Sequence, residues 1–194
     1  RGFYRSYTEF VAPIIGPVAM EFETDEEYSY EMCRYGDHLR EEMASAWDLL
    51  TATGIIKGTD KDLQEYIHNG LVDLILHEVG HTLGLRHNFK ASSIYSIQQL
   101  SDPSFTKKYG ISGSVMDYQP INVFDGQTFF QTHPGVYDIW AIEYAYKQPG
   151  PSVNSEALFL NKIASKSSDP LLRYGTDEDT YGLSTRGIDP HSNA

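Results

Sequence analysis

The chain has 194 residues, 40 % of them apolar, enough for one full-sized domain with a buried core. Its formal net charge of −12 argues against a nucleic-acid partner, because phosphate binding needs a basic surface. No apolar run approaches the ~20 residues that cross a bilayer, so no membrane span is expected.

Residues 1–35 mix β-branched and aromatic residues with Pro13, Gly16 and Pro17, which suggests short strands or irregular structure. From Asp37, a plausible N-cap, Leu39, Met43, Ala46, Trp47 and Leu50 recur at helical spacing, and Gly54 closes the run. A second helix is expected from about Asp60 to Leu83, with Ile67, Leu71, Leu74, Ile75 and Val79 as its apolar side and Gly84 as its stop. Residues 88–133, rich in Ser, Asn, Gly and Pro, read as loops. A third helix is expected from about Gly135 to Tyr146. A fourth spans Asn154 to Ala164, with Phe159, Leu160 and Ile163 turned inward; the tail from Asp169 is polar and turn-rich.

The acidic clusters, Glu21 to Glu31 and Asp177 to Asp179, read as solvated surface. The single cysteine, Cys33, can form no internal disulfide and reads as an ordinary half-buried side chain. The chain starts at Arg1 and carries no visible leader, so it is expected to be a piece of a longer protein.

The chemistry sits in His77-Glu78-Val79-Gly80-His81-Thr82-Leu83-Gly84-Leu85-Arg86-His87. Histidines four apart leave one helix face a turn apart and can share one Zn²⁺. Gly84 lets the chain turn, and His87 can swing back as third ligand. Three protein ligands leave a position for water, the arrangement of a catalytic site. Glu78, next to the first ligand, can reach that water and act as general base. The bland alternative, side chains that merely pack or face solvent, must explain why all four fall in the register that converges on a metal. His68, His38, His133 and His191 lack ligand-spaced partners and read as structural or exposed.

About thirty residues downstream stands Ser114-Val115-Met116-Asp117-Tyr118. With the extended histidine motif, this run resembles the metzincin clan of zinc metallopeptidases. The resemblance implies an α+β, helix-rich fold: a long zinc-site helix, a methionine turn with Met116 under the imidazoles, and an upstream sheet. Few persuasive strands precede the zinc helix, so part of that sheet is expected to lie before Arg1. By the same resemblance Tyr118 is a fifth ligand or a hydrogen-bond donor to the developing oxyanion, with a packing tyrosine as the alternative.

The stretch from His77 to Ser92, the run Ser114–Tyr118 and the run Gly135–Tyr144 are similar to a family of large, exported bacterial zinc-dependent metalloproteases, over roughly residues 70–194. The pappalysin branch is a neighbour, sharing Phe89 and Met-Asp-Tyr. Asn88 departs from the Asp, Glu, Ser or Pro usual in better-known branches, which makes transfer of their substrates unsafe.

The expected whole is one catalytic domain over 1–194, with an N-terminal part over 1–60 and the zinc-site and C-terminal part over 61–194. Its expected activity is a zinc-dependent endopeptidase acting on protein or peptide, and the resemblance implies a secreted, periplasmic or cell-surface location. A zinc-bearing binding module without turnover and a hydrolase of non-peptide amides stay open. In the helix after the methionine turn, Trp140 is expected in the core. A bond from Asp138 to a ligand imidazole is one option, a plain buttressing role the other. Arg86 reads as one arm of an exposed salt bridge.

Overall fold

In a computed structural model of the chain, residues 33–124, 126–150 and 155–180 are described. The strands or irregular structure expected over residues 1–32 lie outside them. Among the described residues there are helices and turns and no strand.

Helix α1 (Tyr35–Ala52) forms on the expected apolar repeat, burying Leu39, Met43, Ala46, Trp47 and Leu50. It begins two residues before Asp37, which lies in its first turn instead of capping it. The fully buried Tyr35 ring, stacked 4.4 Å from His77 and 5.1 Å from Tyr118, draws the helix start forward, so packing overrides the local cap signal. Gly54, at φ +72°, closes the element.

Helix α2 (Asp60–Thr82) starts at a reciprocal cap: the Asp62 amide donates to Thr59 Oγ1 (3.2 Å) and the Thr59 amide to Asp62 Oδ2 (3.0 Å). Its buried side is Leu63, Tyr66, Gly70, Asp73, Leu74, His77 and Gly80. The expected apolar side is only partly right. Ile67 and Leu71 pack against the core, but Ile75 and Val79 are 58 % and 44 % exposed. The helix is turned by what must be inside, a buried carboxylate, an imidazole and two glycines, which an apolar count does not register. The core joins α1 and α2 to Phe89, Tyr118, Ile121 and Phe130.

The stretch expected to be loop contains two short helices, α3 (Ile97–Leu100) and α4 (Pro103–Tyr109), and a 3₁₀ turn at Ala91–Ile94. They rest on caps, Ser96 with Gln99 and Asp102 with Pro103, and not on an apolar face, so periodicity misses them. Around them the interior is polar: Asn88, Thr106, Ser112, Ser114, Asp117 and Gln131 are all fully buried. Helices α5 (Val136–Tyr146) and α6 (Glu156–Ala164) follow as expected, with Ile163 buried. Trp140 is half-buried, not core, and its indole N–H donates to the Ile163 carbonyl (2.8 Å). Short 3₁₀ turns carry the chain from Ser165 to Thr180.

Candidate metal centre

The site is built where α2 ends. His77 and His81 leave one face of the helix with ring centroids 4.8 Å apart. Gly84 takes φ +85°, a left-handed conformation that side-chain-bearing residues resist, and the chain doubles back. That turn returns His87 to 4.8 Å from the His81 ring and 5.3 Å from the His77 ring. One nitrogen from each ring, together with the Cys33 sulfur, lies within 4.8 Å of the others. Glu78 is exposed beside them.

Each imidazole is fixed through its other nitrogen. The Nδ1–H of His77 donates to the Val115 carbonyl (2.7 Å), that of His81 to the Leu85 carbonyl (3.0 Å), and that of His87 to Asp177 Oδ1 (2.8 Å). Carbonyls and a carboxylate can only accept, so Nδ1 carries the proton and each Nε2 keeps its lone pair. Burial drives the pKa of His77 down to about 3, and the neighbouring His81 adds to that. Burial also lowers His87, against the pull of Asp177. Neutral imidazoles are the metal-binding form.

Whether the residues fit a metal is decided by spacing. His81 Nε2 and His87 Nε2 face each other at 3.2 Å, where two lone pairs repel unless a cation lies between them. Tetrahedral Zn–N bonds of about 2.0–2.1 Å would set two nitrogens about 3.3 Å apart. The donor set fits zinc.

Met116 is fully buried, and the turn that carries it passes under α2 so closely that a Cβ on Gly80 would collide with its sulfur. Asp138, in the first turn of α5, holds this turn: it accepts from Ser114 Oγ (2.5 Å), the Val115 amide (2.8 Å) and the Gly135 amide (2.7 Å). Asp138 therefore accepts from no imidazole and acts one step back, fixing the amide of Val115, the residue whose carbonyl orients His77. The carboxylate that does bond an imidazole is Asp177, which the sequence suggested was mere solvated surface. Arg86 forms the expected exposed ion pair, with Glu178 at 2.7 Å.

Asn88 is fully buried and knots the segment together. Its amide donates to the Met116 carbonyl (2.8 Å), and its side chain bonds the Arg173 carbonyl and the Gly175 amide. The departure from other branches at this position is thus a packing solution for the tail that delivers Asp177. Tyr118 is buried with its hydroxyl 3.3 Å from His87 Nε2, and it accepts from the Arg34 amide (2.8 Å). His38 lies against the Tyr118 ring, and His68 is exposed.

Three residues of this site escape sequence reasoning. Cys33, Tyr35 and Asp177 lie 44 and 42 residues before His77 and 90 beyond His87, so no local spacing links them to the motif. Cys33 Sγ is 3.3 Å from His77 Nε2 and 3.4 Å from His87 Nε2. Burial pushes its thiol up to about 11, opposed by the Tyr118 hydroxyl and reinforced by the Glu78 carboxylate beside it.

No curated protein and no solved structure matches the chain significantly. The Met-zincin family model matches residues 59–194, which is more than half of the sequence and takes in α2, the methionine turn and Asp177. The chain therefore belongs to the Met-zincin family, within the metzincin clan of zinc-dependent metallopeptidases.

Proposed function

We propose that the chain is a zinc-dependent endopeptidase in which His77, His81 and His87 hold the ion and Glu78 is the general base. The observation that carries this reading is the convergence of three Nε2 lone pairs, each with its Nδ1 proton committed to an oxygen. Zinc bound there supplies a Lewis acid that acidifies water and polarises a carbonyl. The remaining work belongs to side chains. Glu78, adjacent to His77 and near enough to act on Cys33 and His87, takes the proton of the attacking water and returns it to the departing amine. Tyr118 is aimed at the same point and donates its hydroxyl proton to the oxyanion that develops on the substrate. Met116 gives the rings a dry floor and binds nothing.

Zinc content and cleavage of a broad peptide library, measured together, test the reading. Glu78→Gln is expected to keep the zinc and to lose cleavage by about 10²–10⁴-fold, the usual contribution of a general base. Turnover surviving that change removes Glu78 from the mechanism. A chain without stoichiometric zinc removes the metal.

A further inference from the structure

A groove lies between α5 and the turns that follow α6, and it shares no residue with the metal centre. Its volume is about 540 Å³, within the range of about 300–1,000 Å³ usual for small-molecule sites. Three aromatic rings wall it: Tyr137 and Trp140 from α5, and Tyr174 from the tail. Tyr137 and Tyr174 lie nearly parallel, 10° apart with centroids at 5.6 Å, and Trp140 is tilted by 57° to Tyr137. The indole is held by its bond to the Ile163 carbonyl, so this wall is set before any ligand arrives. The polar lining is only partly used by the fold. Among the described residues, the exposed Arg173 forms no ion pair, and the Ser167 and Ser168 hydroxyls bond nothing. Asp169 gives one carboxylate oxygen to the Leu171 amide (2.9 Å) and has no described partner for the other.

We propose that this groove binds a neutral oligosaccharide. The face of an aromatic ring carries partial negative charge and attracts the slightly positive C–H bonds on one face of a pyranose ring. The hydroxyls around that sugar ring both donate and accept. The groove supplies both complements, a guanidinium that only donates and a carboxylate oxygen that only accepts. The same two groups argue against a charged ligand. Asp169 would repel a phosphate or a carboxylate, and Arg173 would repel a cation. A proline-rich peptide is the other occupant that aromatic grooves take. Such a peptide is rich in carbonyls and poor in N–H groups, so it needs donors and leaves acceptors idle. Here the indole N–H is already committed to Ile163, and the open Asp169 oxygen would go without a donor. A polyhydroxylated ring satisfies both charged groups and the two serine hydroxyls while resting on the aromatic wall.

Titration of the full chain with cellotetraose, maltotetraose and the chitin tetrasaccharide, followed by calorimetry and tryptophan fluorescence, tests this. The sequence has two tryptophans, and Trp47 is in the core at 7 % exposure, so an emission change on binding reports Trp140. At least one of the sugars is expected to shift that emission and to bind with a Kd of about 1 mM or tighter. Arg173→Ala and Tyr174→Ala are each expected to weaken it roughly tenfold, one by losing charged hydrogen bonds and the other a stacking face. Both side chains are exposed, so both variants are expected to keep the far-ultraviolet circular dichroism of the parent. No binding of any of the three sugars at about 10 mM overturns the proposal. Binding that both variants retain in full also overturns it, because the sugar then sits elsewhere. Decaproline binding that these variants lose, without sugar binding, makes this a peptide groove and overturns it as well.

Discussion

The three imidazoles are oriented by acceptors of different kinds: two backbone carbonyls and one carboxylate. The carboxylate is the replaceable one. Asp177→Ala is expected to weaken zinc binding by about 10–100-fold, the usual effect of removing an oxygen behind a ligand imidazole, with little change in the far-ultraviolet circular dichroism. Competition with a calibrated chelator measures it, and unchanged affinity would mean that His87 needs no such support. A second carboxyl, Asp73, sits one turn before His77, fully buried, where it accepts from the Gln131 amide (3.0 Å) and Gln119 Nε2 (3.2 Å). Burial raises its pKa to about 7, against the hydrogen bonds of Gln131, Tyr35 and Gln119. A carboxyl raised on folding holds its proton more tightly in the native chain than in the unfolded one. Its contribution is therefore complete below the unfolded value of about 3.9 and is lost as pH climbs towards 7. In the metal-free chain the urea midpoint is expected to fall between pH 5 and 8, and to fall less in Asp73→Asn. Parallel profiles for the two proteins would assign that pH dependence to other groups.

At the scale of elements, the site depends on α2 and the methionine turn being nearly in contact. Gly80 permits the contact, since a Cβ there would meet the Met116 sulfur. Gly80→Ala gains helix propensity but must displace a fully buried side chain. Overpacking of that kind costs about 1–3 kcal/mol, against a propensity gain of about 1 kcal/mol. The variant is thus expected to be less stable, and because Val115 beside Met116 orients His77, to bind zinc less tightly. A rise in melting temperature would show that the turn gives way freely. The short helices α3 and α4 follow another logic, that of local caps within a polar interior.

For the molecule as a whole, two segments far apart in sequence close on one end of α2: Cys33 and Arg34, which lead into α1, and the tail from Arg173 to Asp177. Zinc would tie α2 to its own return at His87. Binding to the folded chain alone stabilises by mass action, on the order of 4 kcal/mol at a free zinc concentration a thousandfold above Kd. Chelation is expected to lower the melting temperature and re-addition of zinc to restore it. Equal melting curves with and without chelator would deny the ion any part in holding these segments together.

The sequence by itself determined the histidine cluster at the centre of the site. Two histidines a helical turn apart, a glycine that ends the helix and a third histidine three residues on are local relations, and local geometry alone brings them near one point. The end of α2 at Gly84 was legible for the same reason, and the bounds of α5 and α6 fall within two residues of those expected. Tertiary structure alone decided which face of α2 is buried, why Asn88 follows the third histidine, and that Cys33, Tyr35 and Asp177 join the site. Those depend on contacts between residues tens of positions apart, and no periodicity or spacing encodes a contact that only packing creates.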